Sequence, residues 1–245
     1  MFIGHLALGF AAKRAAPKVS LGTLLLATQL VDMVFPIFVL LGIEHARIVP
    51  GITAVTPLDL YDYPWTHSLL AGVVWGLVFA AMWYTRKRDP KTALLLAALV
   101  VSHWVLDWIT HRPDMPLYPG GPMAGLGLWN SLVGTVVVEG AMFAAGVGLY
   151  LRSTRALDKT GRYALWALIG FLVLVYVLNL TSPPPPSIAA VAWVGQAGWL
   201  LLLWAAWADR HRSPASFGIS AGPAHLPRGT QSSLGWSRPS SEAFV

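Results

Sequence analysis

The chain has 245 residues, of which 56% are hydrophobic and only 11% are charged, whereas soluble domains carry about 25% charged residues. This composition excludes an ordinary soluble domain and a disordered chain. The absence of cysteine excludes a disulfide framework, a thiolate metal site and a cysteine nucleophile. The formal net charge of +6 comes without an aromatic and basic recognition module, so no nucleic-acid partner is expected.

Six apolar stretches are long enough to cross a bilayer core of about 30 Å as helices. They cover residues 22–42, 68–85, 93–110, 128–151, 163–181 and 188–208. A shorter apolar run, residues 2–12, precedes them and predicts either an interfacial helix or a short helix that enters the protein from the outer side. The sequence therefore predicts an all-α polytopic membrane protein: six transmembrane helices and a short N-terminal helix in one domain, residues 1–208.

The distribution of basic residues predicts the orientation. All but two of the 17 lysines and arginines, namely Arg47 and Arg112, fall on one side of the six predicted spans. The positive-inside rule places that side in the cytoplasm, as expected for a plasma (inner) membrane protein of a prokaryote. Residues 209–245, rich in serine, proline and glycine, are predicted to form a disordered cytoplasmic tail.

Several ionisable residues lie within the apolar stretches, where such groups are costly and by default mark a functional site. Asp32 lies in the first predicted span, and His103 and Asp107 lie in the third. The spacing of four residues puts His103, Asp107 and His111 on one face of a helix. From the helical rise, Asp32 and His103 are expected about 10 to 15 Å below the outer surface.

A divalent metal ion accounts for such a cluster, because imidazoles and carboxylates are ordinary ligands of Zn²⁺ and related ions. Zn²⁺ is the expected ion and Mn²⁺ the alternative. A metal ion lowers the pKa of bound water to about 7, and a carboxylate that is not a ligand can then act as general base. Glu139, in the fourth predicted span, is interpreted as a structural hydrogen-bonding residue or as a support for the ligands.

Four short motifs occur in the first half of the chain: Gly4-His5-Leu6, Leu30-Val31-Asp32, Thr66-His67-Ser68-Leu69-Leu70, and Ser102-His103 through Leu106-Asp107. A proline-rich run, Arg112 to Pro119, follows them. With these motifs in this order, the chain resembles the YdjM-like family of membrane-bound, metal-dependent hydrolases. The resemblance implies a hydrolase in which His67, His103 and Asp107 form the core ligand set.

In that hypothesis His5 and Asp32 complete the metal site, or one of the two catalytic carboxylates, Asp32 and Asp107, positions the water. The chain departs from the family at two places. Val34 stands where the family usually has a second aspartate, and Asp62-Tyr63-Pro64 replaces a usual His-Arg-Gly. Asp62, His111 and Asp114 are therefore additional candidate ligands, and Arg112 is a candidate for binding an anionic substrate.

The sequence thus favours a metal-dependent hydrolase that acts at the outer half of the bilayer on an amphipathic ester or phosphoester, small or lipid-like. One alternative is a permease or ion-coupled transporter in which Asp32, His103, Asp107 and Glu139 bind cations or relay protons. The other alternative is a non-catalytic membrane scaffold.

Overall fold

The computed structural model describes residues 1–215, and helices make up most of this range. The helices are α1 (Ile3–Ala12), α2 (Leu21–Leu40), α3 (Pro64–His67), α4 (Leu69–Lys87), α5 (Pro90–Thr110), α6 (Leu132–Ser153), α7 (Lys159–Thr181), α8 (Ile188–Gln196) and α9 (Gly198–Arg210). The strands are β1 (His45–Ile48), β2 (Leu58–Asp62), β3 (Met115–Pro116), β4 (Met123–Ala124), β5 (Thr154–Ala156) and β6 (Arg212–Pro214).

The predicted fold class is confirmed. Within the described range, six helical segments are long and apolar enough to cross a membrane, and a short apolar helix precedes them. Five of these segments are single helices, and the sixth, Ile188–Arg210, consists of α8 and α9 with a break at Ala197. Apolar side chains such as Leu94, Val133 and Val194 are exposed on the outside of the bundle, as expected for a surface that faces lipid.

Serine and aspartate side chains determine where most of the spans begin. In each case the side chain accepts a hydrogen bond from the backbone N–H three residues further on, which satisfies one of the free donors of the first turn. These capping residues are Ser20, Ser68, Asp89, Ser131, Asp158 and Ser187.

Helix α1 lies inside the protein, which decides between the two alternatives for residues 2–12. It packs against α2 and α6, and most of its side chains are buried. At Gly146 the two helices lie so close together that a Cβ atom on this residue would overlap the carbonyl group of Ala7. The absence of a side chain at Gly146 therefore permits the close contact between α1 and α6. At its start, the carboxylate of Glu139 accepts hydrogen bonds from the backbone N–H groups of Phe2 (2.8 Å) and Gly4 (3.2 Å).

A buried ion pair fixes the other end of α1 at the basic end of the bundle, the end that carries the α4–α5 turn and the β5–β6 pair. The Lys13 Nζ donates to Asp209 Oδ2 of α9 at 2.5 Å. The same carboxylate accepts hydrogen bonds from the Tyr150 hydroxyl at 2.6 Å and from the Leu21 backbone N–H at 3.0 Å. One carboxylate therefore joins α1, α2, α6 and α9.

The opposite, hairpin end carries the antiparallel pairs β1–β2 and β3–β4, which the sequence analysis did not predict. Asp59 of β2 accepts from Arg47 of β1 at 2.6 Å and also contacts Arg112, beyond the end of α5. This arrangement attaches the hairpin to the loop that follows α5.

Most of residues 209–214, which the sequence predicts as part of the tail, belong to a helix or a strand. Asp209 and Arg210 belong to α9, and Arg212–Pro214 pairs with Thr154–Ala156 as a short antiparallel sheet. These residues are ordered because the Asp209 carboxylate is bonded to three neighbouring elements and the β6 backbone pairs with β5. The rest of the predicted tail, 216–245, lies outside the described residues.

Candidate metal centre

Four helices bring five histidine and aspartate side chains together near the hairpin end. These residues, which we call the His–Asp cluster, are His5 of α1, Asp32 of α2, His67 of α3, and His103 and Asp107 of α5. All five were candidate metal ligands in the sequence analysis. They converge because the first turn of α1, which carries His5, lies beside α5 in the interior. The short helix α3 directs His67 towards α2.

Asp107 lies at the centre of the His–Asp cluster. Its Oδ1 atom is 2.9 Å from His5 Nε2, and its Oδ2 atom is 3.0 Å from His103 Nε2. His67 Nε2 lies 4.0 Å from Oδ2, and the Met1 nitrogen also contacts Oδ1. The His5 and His103 rings stack with their centroids 3.7 Å apart.

Asp32 completes the other side of the His–Asp cluster. Its Oδ1 atom lies 3.2 Å from His67 Nε2 and 3.5 Å from His103 Nε2. Two sets of three residues have ligand atoms within 4.8 Å of one another, namely His5-His103-Asp107 and Asp32-His67-His103. Because His103 belongs to both sets, the five side chains form one site.

Hydrogen bonds outside the His–Asp cluster determine which nitrogen of each histidine points inwards. The His103 Nδ1 lies 2.7 Å from the Thr28 carbonyl oxygen, which can only accept, so Nδ1 carries the proton. The Thr66 hydroxyl donates to Glu44 Oε2 at 2.6 Å and therefore accepts from His67 Nδ1 at 2.7 Å. Both histidines thus present Nε2 to the aspartates, the orientation that metal-binding histidines adopt.

Buried nitrogen atoms of the His–Asp cluster have no hydrogen-bond partner in the described part of the chain: His5 Nδ1 and His103 Nε2. The His103 Nε2 faces the Asp107 carboxylate at 3.0 Å, yet the pair lacks hydrogen-bond geometry. A lone pair on His103 Nε2 would repel a carboxylate at this distance, and a proton or a metal ion between the two atoms would relieve that repulsion.

His111 lies beside the His–Asp cluster. Its Nε2 is 3.9 Å from Asp107 Oδ1, and its Nδ1 is 3.0 Å from Asp114 Oδ1, with the Tyr63 hydroxyl at 3.3 Å. Burial lowers the pKa of His111, which favours the neutral ring that a metal requires, and burial beside Asp114 raises the pKa of Tyr63. His111 and Asp114 therefore support the His–Asp cluster from the hairpin end.

Asp62 does not join the His–Asp cluster. Its carboxylate pairs with His45 Nδ1 at 2.9 Å on the β1–β2 hairpin, where both side chains are about half exposed. The strand explains this position: Asp62 pairs with His45 across the hairpin, which directs it away from α5. The structure therefore corrects the expectation that Asp62 replaces the missing histidine as a ligand.

Arg112 is already engaged by carboxylates. Its Nε donates to Asp114 Oδ2 at 2.8 Å, and its Nη2 contacts Asp59. Both partners compete with an anionic substrate for the guanidinium group. Glu139 has a structural role, since it caps α1 and thereby holds the helix that carries His5.

The sequence analysis did not identify Glu44, which is buried and organises the loop before α3. Its carboxylate accepts from the backbone N–H groups of Trp65 (2.7 Å) and Thr66 (2.8 Å) as well as from the Thr66 hydroxyl. The one sequence feature that indicates a role for Glu44 is its position as an acidic residue directly after the apolar stretch of α2. The partner lies 22 residues away, so spacing gave no indication of the contact.

Comparison with known proteins agrees with the motifs. The family model described as YdjM inner membrane protein matches residues 1–184. The chain belongs to the YdjM family. Heme A synthase from Chelativorans sp. (strain BNC1) is 27% identical over 163 residues, which cover 61% of this chain and 43% of that protein. The YdjM-family chain thus matches less than half the length of that relative, and no solved structure gives a significant match.

Proposed function

We propose that this YdjM-family protein is a membrane-bound, metal-dependent hydrolase whose metal site is the His–Asp cluster. The observation that carries the proposal is the orientation of His67 and His103. Each donates through Nδ1 to an acceptor outside the site and directs Nε2 at two aspartates. This is the arrangement that metal-binding histidines adopt, with the outer N–H held by an acceptor and the other nitrogen directed into the site.

The donor set fits a divalent transition metal. Neutral imidazole nitrogens and carboxylate oxygens, without any thiolate, suit Zn²⁺ or Mn²⁺. His67, His103 and Asp107 would hold the ion and His5 would complete the set, which leaves Asp32 to act on the attacking water. The unpartnered His103 Nε2 supports this assignment because a ligand bond would satisfy it.

The bound ion would supply Lewis-acid activation of water and of the bond to be cleaved. Asp32 is the residue in position to act as the general base for the attacking water. Its side chain is 33% exposed, whereas those of His5, His67, His103 and Asp107 are at most 4% exposed. Asp32 would therefore meet the incoming substrate, accept the proton of the attacking water and pass it to the leaving group. The four buried residues would keep the rest of the site dry.

Metal content tests this proposal. The purified protein and its His67→Ala, His103→Ala and His45→Ala variants are analysed by inductively coupled plasma mass spectrometry after incubation with Zn²⁺ or Mn²⁺. His45 is the matched control, because it pairs with an aspartate on the exposed hairpin. We expect about one ion per chain in the wild type and in His45→Ala, and loss of the ion in the other two variants.

A wild-type protein that stays metal-free after incubation would refute the proposal. A metal-loaded protein is then assayed with ester and phosphoester substrates in mixed micelles, with and without a chelator. Hydrolysis that the chelator abolishes and added metal restores supports the enzyme. Metal-dependent cation uptake into proteoliposomes without hydrolysis would instead support the permease alternative.

A further inference from the structure

A surface groove lies between α2 and α4 on the outside of the bundle. It has a volume of about 460 Å³, and its walls are almost entirely apolar. Its lining residues are Phe38, Ile43, Trp65, Leu70, Ala71, Val74, Trp75 and Pro119. We call this feature the α2–α4 groove. Both helices are membrane spans, so the surrounding medium along these walls is lipid.

The α2–α4 groove and the His–Asp cluster share helix α2. Phe38 lines the groove, Asp32 belongs to the cluster, and Phe35 lies between them, three residues from each. The Phe35 ring packs edge-on against the His67 ring with centroids 5.4 Å apart. The face of α2 that carries Pro36 is covered by α8, where a Cβ atom on Gly195 would lie 2.8 Å from this proline.

Asp32 is the one substantially exposed member of the His–Asp cluster. On the α4 side, Trp65 lines the groove two residues before the ligand candidate His67. The Trp75 Nε1 donates to the Trp65 carbonyl oxygen at 3.0 Å, which holds both rings at the groove wall.

We propose that the α2–α4 groove binds an acyl chain of a membrane lipid and so presents the ester or phosphoester of that lipid to Asp32. The occupant is a lipid because the groove opens between two membrane spans, has apolar walls, and includes Trp65, which lies two residues before His67 of the polar site. The reaction part of the proposal rests on the proposed hydrolase function; the binding part does not.

In the hydrolysis of such a lipid, the oxygen of a water molecule bonds to the acyl carbon or to the phosphorus. The bond from that atom to the alcohol oxygen breaks, and the proton of the water passes through Asp32 to the departing alcohol. The acyl chain in the groove fixes the position of the reacting bond, which lowers the entropic cost of the reaction.

Photo-crosslinking tests the binding part without requiring metal or turnover. The full chain is reconstituted into vesicles of phosphatidylcholine and phosphatidylglycerol that contain a trace of phosphatidylcholine with a diazirine in its acyl chain. Crosslinked residues are mapped by mass spectrometry. We expect labelling to concentrate at residues 65–75 and to fall several-fold in Ala71→Trp, which fills the groove.

The control Ala81→Trp adds the same side chain on the exposed surface of α4 outside the groove, and labelling is expected to remain at the wild-type level. Val74→Trp fills the groove from a position that is 51% exposed, and it replaces Ala71→Trp if that variant does not fold. Labelling no denser at 65–75 than at the exposed Leu200 and Leu203 of α9, or unaffected by groove filling, would overturn the proposal.

A second experiment distinguishes the lipid-binding proposal from the hydrolase proposal. Metal-loaded protein is assayed with a short-chain, water-soluble ester or phosphoester and with its long-chain counterpart. Ala71→Trp should raise KM several-fold for the long-chain substrate and leave the short-chain one unchanged. Selective labelling without turnover of either substrate refutes the hydrolase and leaves the lipid site, whereas turnover without selective labelling refutes the lipid site.

Discussion

Glu44 and Thr66 determine, at the scale of single residues, which nitrogen of His67 faces Asp32. The Thr66 hydroxyl has one proton, and Glu44 accepts it, so the hydroxyl oxygen remains available to accept from His67 Nδ1. The Thr28 carbonyl has the same effect on His103. The chemical character of the His–Asp cluster therefore depends on acceptors that lie outside the cluster.

The Thr66 hydroxyl gives a direct test of this dependence. Thr66→Val removes the acceptor for His67 Nδ1, and we expect Zn²⁺ affinity to fall about 10- to 100-fold, the usual cost of losing such a support. Thr66→Ser keeps a hydroxyl and should retain most of the affinity. The dissociation constant is measured by competition with a chromogenic chelator.

Thr85→Val serves as the control, because the Thr85 hydroxyl donates to the Met82 carbonyl on the exposed surface of α4. It should bind Zn²⁺ as the wild type does. Wild-type affinity in Thr66→Val would mean that His67 is not a ligand or that its orientation does not depend on Glu44.

At the scale of elements, helix α1 is the buried helix whose attachment determines where His5 lies. It is too short to cross a bilayer, and its two ends are held by carboxylates of other helices, Glu139 at its start and Asp209 beyond its end. Since His5 lies in the first turn of α1, the position of this ligand candidate is set by contacts at both ends.

The Lys13–Asp209 pair should therefore make a large contribution to stability. Asp209→Asn leaves the Lys13 ammonium group buried without its countercharge, and we expect a loss of about 3 to 5 kcal/mol in the free energy of unfolding. Thermal unfolding of the purified protein in detergent measures this loss. Lys13→Met combined with Asp209→Asn should recover part of it, because the unpaired charge is gone.

Asp158→Asn is the matched control, since its partner His211 and the aspartate itself are exposed. This variant also keeps the cap of α7, because asparagine caps helices as well as aspartate does. It should unfold at the wild-type temperature. Equal unfolding temperatures for Asp209→Asn and Asp158→Asn would show that the buried pair does not hold α1.

The orientation of the whole molecule remains a prediction from the distribution of basic residues, and the absence of cysteine makes it simple to test. Single cysteines are introduced at two exposed positions, Ala54 at the hairpin end and Lys91 at the basic end. In intact cells, a membrane-impermeant maleimide should label Ala54→Cys but not Lys91→Cys. Permeabilised cells should label both variants, and the reverse result in intact cells would mean the opposite orientation.

The features of this molecule that can be predicted from the sequence arise from hydropathy and helical periodicity, whereas those that cannot arise from contacts between distant residues. The six spans follow from hydropathy, and the stripe of His103 and Asp107 follows from the helical period. The position of Asp62 depends on the register of a hairpin in which the pairing shifts between His45 and Arg47. The role of Glu44 depends on a loop folding back onto α3, and such contacts leave no periodic trace in a sequence.

Ser68 adopts an extended backbone between α3 and α4, so the peptide unit that carries His67 is not part of the helix that follows it. Helix α4 lies at the edge of the bundle with most of its surface in lipid, whereas α3 is tied to Glu44 by three hydrogen bonds. The orientation of α4 can therefore change at Ser68 without breaking the hydrogen bonds from α3 to Glu44, and the Trp75–Trp65 hydrogen bond is the contact that couples the two helices. The position of His67 relative to Asp32 thus depends on the Glu44 loop more than on the membrane span that follows.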